Sequence, residues 1–208
     1  IPLFFNRKSI EKVEPVINTE NSVGGFEYSD AYLHDNDARF VFNFIRNALN
    51  MGCIAVNYME STNAKFENGK WNVTARENLT GKEITIKAKT LINAAGPFVD
   101  LHNSMTGAVA THKHALSKGI HLIVNRLTPN HRVLAFFADD GRLFFVIPMG
   151  AKTCIGTTDT KVENPVTYVT EEDRDFVLEN INKRLDIKLD GFDYDKKFVF
   201  SEIGYNFE

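Results

Sequence analysis

Two cysteines, one tryptophan and nearly balanced charge mark what this chain does without. Cys53 and Cys154 both stand in apolar, strand-like settings. They cannot form a multi-disulfide framework, and with no Cys-x-x-Cys or Cys/His spacing they give no structural zinc site; both are expected to be buried, reduced thiols. A formal net charge of -3 excludes the bulk basic field of a nucleic-acid binder. No apolar run reaches the roughly 20 residues of a membrane span. No secretory signal is recognised in these residues, and the Asn-x-Thr sequons at Asn72 and Asn78 are expected to be fortuitous. The chain opens on Ile1-Pro2-Leu3 rather than on Met and is expected to be a piece of something longer. Gly-x-Gly-x-x-Gly, Gly-x-x-x-x-Gly-Lys-Ser/Thr, His-Glu-x-x-His and Gly-x-Ser-x-Gly are all missing. The common phosphate cradles, the zinc-protease helix and the hydrolase nucleophile elbow are therefore excluded.

What is present is a phenylalanine-rich globular composition, 17 Phe with 43% hydrophobic and 25% charged residues. Residues 1 to 22 read as polar and irregular, with room for a short helix between Pro2 and Pro15. Gly24-Gly25-Phe26-Glu27-Tyr28 reads as a turn into a strand that could join either main sheet. Asp35-Asn36-Asp37 caps a helix over 38 to 51, where Val41, Phe44, Ile45, Ala48 and Leu49 recur at helical spacing, Gly52 stops it, and the apolar face should pack on a sheet. Cys53 to Tyr58 reads as a buried strand in α/β style. Strands over 64–67, 71–75 and 83–88 then form an antiparallel meander, with Asn68-Gly69 as a hairpin turn.

Leu91-Ile92-Asn93-Ala94-Ala95-Gly96-Pro97 reads as a strand from Thr90 to Asn93 running into a tight turn and a helix from Phe98 to Met105. Its small side chains would let something large lie against the backbone. A second strand-rich stretch follows over 119–124, 133–137, 143–148 and 152–156, with Asp139-Asp140-Gly141 turning a hairpin. Thr170-Glu171-Glu172-Asp173 resembles a capping box opening a helix, and a last strand covers about Lys197 to Ser201.

Three stretches could carry chemistry. His112-Lys113-His114 lacks a third metal ligand and reads as surface. In Lys118-Gly119-Ile120-His121-Leu122-Ile123-Val124, alternation sends Ile120, Leu122 and Val124 to one face and His121 and Ile123 to the other. His121 is either a structural histidine or the group that takes a proton from an alcohol. Ile155-Gly156-Thr157-Thr158-Asp159-Thr160 ends a strand either in a hydroxyl-rich turn or at a polar ligand.

Taken in order, Gly24-Gly25-Phe26-Glu27-Tyr28-Ser29-Asp30, Asp37-Ala38-Arg39, Asn93-Ala94-Ala95-Gly96-Pro97, Lys118-Gly119-Ile120-His121, Phe145-Val146-Ile147-Pro148 and Ile155-Gly156-Thr157-Thr158-Asp159 resemble the FAD-dependent, respiratory glycerol-3-phosphate dehydrogenase family over nearly the whole chain. The resemblance implies a mixed α+β and α/β fold. A partial Rossmann-like FAD domain with a β-meander would span 36–106, and a mainly antiparallel substrate-binding sheet with flanking helices would span 107–208. Residues 1–35 would supply an N-terminal segment and a substrate-domain strand.

The family's N-terminal Gly-x-Gly-x-x-Gly has no counterpart here, so this chain looks like the middle of the enzyme, inactive and without FAD on its own. The resemblance further implies oxidation of glycerol 3-phosphate to dihydroxyacetone phosphate through FAD to quinone. The full-length protein would be cytoplasmic, peripheral to the inner face of the cell membrane. His121 would be the proton acceptor, with Lys118, Thr157, Thr158 and Asp159 toward the substrate and Asn93, Ala94, Ala95, Gly96 and Pro97 toward FAD. A related flavin oxidase of another hydroxy or amino acid, and a non-catalytic small-ligand binding domain, are the alternatives. The family's Gly-x-Arg-Pro-Leu segment meets Gly204-Tyr205-Asn206-Phe207-Glu208 here. Either the chain stops before the phosphate-binding Arg or Asn206 stands in its place; both remove a guanidinium clamp from a dianion.

Overall fold

The computed structural model describes residues 2–31, 33, 36–189 and 200–206, with the backbone alone for Asn36 and for 200–206. In chain order the elements are β1 (Leu3–Phe5), α1 (Arg7–Val13), β2 (Gly25–Glu27), α2 (Asn36–Asn50), β3 (Met59–Glu67), β4 (Lys70–Glu77) and β5 (Glu83–Ala88). A 3-10 turn (Gly96–Phe98) leads into α3 (Val99–Thr106). Then come β6 (Ala115–Asn125), β7 (Leu134–Phe137), β8 (Leu143–Met149), β9 (Lys152–Gly156), β10 (Thr160–Val162), α4 (Glu171–Arg184) and β11 (Phe200–Asn206). Contacts divide the chain into two units, Ile1–Tyr28 with His114–Glu208, and Ser29–Lys113.

The first unit is built on β6. One edge of β6 pairs with β11; the other pairs with β9 over His121–Asn125 and with β10 over Leu116–Lys118. β8 and β7 continue the sheet beyond β9, all antiparallel. Alternation then sorts the side chains. Leu122, Ile155, Val146 and Leu134 lie directly opposite one another across four strands, and all four are buried. Val177, Leu178 and Ile181 of α4 share the same core cluster. The expected capping box forms: Thr170 Oγ1 accepts from the Asp173 N–H at 3.2 Å, and Asp173 Oδ2 accepts from the Thr170 N–H at 3.0 Å. The hairpin turn at Asp139 is tied to α4, because Asn180 Oδ1 accepts the Asp139 N–H at 2.9 Å.

At the N-terminus, among the described residues β1 and β2 pair only with each other, so the strand at Gly25 joins neither large sheet. α1 is anchored through its end. Glu14 is buried and accepts from Thr128 Oγ1 at 2.9 Å, and Asn130 Nδ2 donates to the Val13 carbonyl at 2.8 Å.

The second unit holds the β3-β4-β5 meander, with Asn68 and Gly69 both at positive φ (52° and 73°), as a type I′ hairpin turn requires. α3 packs on β3, where the Ser61 hydroxyl and the His102 ring Nε2 lie 2.9 Å apart. Three expectations fail here. Residues 53–58 form no strand, with Ile54 92% and Val56 68% exposed, and Cys53 is exposed rather than buried. Residues 90–93 form no strand either, and Ile92 is 82% exposed. The apolar face of α2 is left uncovered by the described residues. The two missing strands share a physical reason: every described strand pairing is antiparallel, and none of them includes these segments. No described strand lies beside 53–58 or 90–93 to satisfy their backbones. Of the final strand, Lys197 to Val199 lie outside the described residues.

Truncation should separate the two units. Ile155→Ala is expected to cost about 2–5 kcal/mol in urea unfolding. Phe44→Ala on α2, where Phe44 is 63% exposed, should stay within about 0.5 kcal/mol. A large loss at Phe44 would show that α2 is covered after all.

Candidate functional site

β6 presents two chemically different faces. Lys118 shares its parity with Ile120 and Leu122 and lies on the α4 side. Its buried Nζ donates to the Asp173 carboxylate and to the Tyr168 carbonyl at 3.2 Å. Lys118 is therefore not placed beside His121, as the ligand-facing expectation would have it. Three residues along a strand is an odd step, and the two side chains leave on opposite faces. Burial raises the Asp173 carboxyl, but the Lys118 ammonium, the Thr170 N–H and the Thr170 hydroxyl outweigh it, so the carboxyl lies below its ordinary value.

His121 is half-buried on the other face. The cross-strand row there runs His121, Gly156, Phe145, Ala135. The next row holds Ile123, Cys154 and Ile147. Phe137, Leu143, Phe145 and Met149 on this face are exposed. Gly156 lies so close to the imidazole that a Cβ there would stand 2.5 Å from His121 Cδ2.

Past Gly156 the pairing slips. Three steps on β6, from Lys118 to His121, face four on the partner, from Thr160 back to Gly156, which is a β-bulge. The bulge contains the other expected substrate residues. Thr158 is buried and its Oγ1 accepts the Ile120 N–H at 3.0 Å, closing the gap in the ladder. Thr157 is half-buried, with Oγ1 donating to the Thr158 carbonyl at 2.9 Å, and Asp159 is exposed. The structure thus brings His121, Thr157 and Asp159 to one end of the β6–β9 pair and sets Lys118 apart. Asn206 pairs with Ala115, far along β6 from His121, and Phe207 and Glu208 lie outside the described residues.

In the second unit, Asn93 turns into its own loop. Its Nδ2 donates to the Val99 carbonyl at 2.9 Å and to Asn103 Oδ1 at 2.8 Å, and its Oδ1 accepts the Ala95 N–H at 3.2 Å. The side chain thereby holds the turn to α3. Ala94 and Gly96 are exposed, and Gly96 has φ 56°. A large ligand could approach the backbone of 94–96 closely there. Among the described residues no group of His, Cys, Asp or Glu could hold a metal ion, and no helix is long and apolar enough to cross a membrane.

The two units thus hold, one each, a small-residue turn pinned by an asparagine and an antiparallel sheet with a histidine on one face and a capped helix on the other. The model of the DAO family, FAD dependent oxidoreductases, matches residues 2–197, and the chain belongs to that family. Among its relatives is the aerobic glycerol-3-phosphate dehydrogenase of Staphylococcus aureus (strain MRSA252), 33% identical over 185 residues, covering 85% of this chain and 32% of the relative. The solved glycerol-3-phosphate dehydrogenase from Bacillus halodurans complexed with FAD superposes with a TM-score of 0.83 at 30% identity over 98% of this chain and 43% of that one. L-proline dehydrogenase from P. horikoshii shares the fold at a TM-score of 0.63 and 16% identity, over 98% of this chain and 52% of that one. The chain thus spans about a third of the length of the curated relative and under half of the solved dehydrogenase.

The residues present fit FAD in part. The Ala94–Gly96 turn offers a backbone that a flat ring system could approach, but no glycine-rich strand-to-helix turn for a pyrophosphate occurs in the sequence.

Residue selection from sequence alone overlooked Gly156 and Phe145 as neighbours of His121, and Asp173 as the partner of Lys118. The capping-box spacing was the available signal for Asp173; the β6–β9 register, which places Gly156, has none. Asp173→Asn should destabilise the protein by about 3–5 kcal/mol at neutral pH, because it leaves a buried ammonium without its counter-charge. The Asp173 carboxyl lies lower in the folded than in the unfolded state. Its contribution is therefore present above about pH 4 and lost as pH falls through the folded value. Urea unfolding across pH should show that acid loss in the native protein and a weaker one in Asp173→Asn.

Proposed function

We propose that these residues belong to a flavoprotein that oxidises glycerol 3-phosphate to dihydroxyacetone phosphate and passes the electrons to quinone. The observation that carries the reading is the half-buried imidazole of His121, on the sheet face opposite the α4 core, in a chain whose relatives are named for this oxidation. Oxidation at C2 removes a hydride equivalent and the hydroxyl proton and leaves a ketone. Bound FAD would supply the two-electron acceptor, and the backbone of Asn93 to Pro97 would lie along it.

His121 takes the C2 hydroxyl proton, an imidazole ring nitrogen being the usual side-chain acceptor of an alcohol proton. Thr157 and Asp159 in the adjoining bulge offer a hydroxyl and a carboxylate to the substrate's own hydroxyls. The Thr158 hydroxyl holds the bulge closed through the Ile120 N–H, and Lys118, held by Asp173, belongs to the scaffold. In this reading residues 1–208 alone are flavin-free and do not turn over. The complete protein acts in the cytoplasm, at the inner surface of the cell membrane, where quinone is reached.

In the complete flavin-loaded protein, His121→Gln should leave the flavin absorbance intact. Glycerol 3-phosphate turnover should fall by about 100-fold or more, the usual weight of a general base. Turnover unchanged in the variant at every pH between about 6 and 9 would remove His121 from the reaction. Turnover with proline but not glycerol 3-phosphate would overturn the substrate assignment.

A further inference from the structure

We propose that Gly156 is a positioning residue for His121, and that its missing side chain sets where the imidazole lies. A Cβ at Gly156 would stand 2.5 Å from His121 Cδ2, 3.0 Å from His121 Cγ and 2.7 Å from the Ile120 carbonyl oxygen. The first of these is roughly 1 Å inside ordinary van der Waals separation. The ring atoms nearest the glycine are carbons, so the imidazole rests its Cγ–Cδ2 edge on β9. Gly156 does not have a positive φ, so no left-handed backbone calls for glycine there. The demand for glycine at this position is one of contact.

Two features hold the glycine under the ring. The pairing of His121 with Gly156 is the last regular one before the bulge. Thr158 Oγ1 then closes that bulge on the Ile120 N–H. On the far side of Gly156 the row continues with Phe145, so a bare strand position separates two rings on the same face. An alanine there would press on both the imidazole and the Ile120 carbonyl, so the ring and the β6 backbone that carries it must shift away from β9; a displacement of about 1 Å at a reacting group can cost on the order of 100-fold in rate.

The placement rests on geometry alone, whereas its consequence for turnover rests on the proton-acceptor reading of His121. Proton NMR of the native 208-residue chain should show a strong nuclear Overhauser contact between a Gly156 Hα and His121 Hδ2. Its absence would overturn the proposal without any variant. In Gly156→Ala the His121 Cδ2–Hδ2 cross-peak should move while the amides of Leu134, Val177 and Ile181 in the core keep their positions. A ring resonance that stays in place would also overturn it. Should the alanine variant not fold, the native Overhauser contact decides. In the complete flavin-loaded protein, Gly156→Ala should lower kcat about 100-fold with a much smaller change in KM. If the ring moves and His121→Gln leaves turnover intact, the positioning stands and the proton-acceptor reading falls.

Discussion

The register of β6 against β9 is the constraint on which the first unit depends. A strand has a side-chain period of two, so one slip would exchange its faces entirely. Here the two faces have incompatible contents. Ile120, Leu122 and Val124 fill a core shared with α4, and His121 lies across a glycine on the other side. The row of Leu122, Ile155, Val146 and Leu134 holds that register by burial. The bulge after Gly156 then resets the pairing so that β10 can follow β6 toward Leu116. Thr158 makes the reset affordable in hydrogen bonds, since its hydroxyl meets the Ile120 N–H that the bulge would otherwise leave bare.

Much of this was legible in the residues, and the division between what was and what was not follows sequence distance. Asn68-Gly69, Asp139-Asp140-Gly141 and Thr170 through Asp173 encode their geometry within four residues, and the hairpins and capped helix formed as read. The alternation in Gly119 to Val124 predicted the faces of β6 correctly, because one apolar face against α4 is enough to set it. Cys53 to Tyr58 and Thr90 to Asn93 look as apolar as any strand here. A strand of parallel type takes its partners from distant chain, and apolar character alone does not supply them. The uncovered face of α2 has the same origin: helical periodicity shows that a face is apolar, not what it meets.

The site was legible to a different depth. His121 could be singled out because a titratable ring in an apolar strand is unusual, whereas its glycine neighbour lies 35 positions away and meets it only through pairing. Asn93 was read as part of a ligand-facing turn. In the structure its amide is committed to Val99, Asn103 and Ala95, and the approachable surface is the backbone that it holds in place. In both cases the residue type pointed to the right neighbourhood, and hydrogen bonding or register then determined which atoms were available.

Lys118 shows how one strand can carry two charge-bearing groups without mixing them. Its ammonium is buried beside Asp173, which also completes the cap of α4, so a single carboxylate fastens the helix to the strand and starts the helix. A buried pair of this kind adds little net stability over an apolar substitute, but breaking it is costly. A one-residue slip of β6 would carry Lys118 to the face now held by His121 and leave Asp173 buried without its cation. The pair thereby penalises the wrong register more than it rewards the right one. Its clearest physical consequence is to keep the imidazole of His121 opposite the one residue on β9 that has no side chain to displace it.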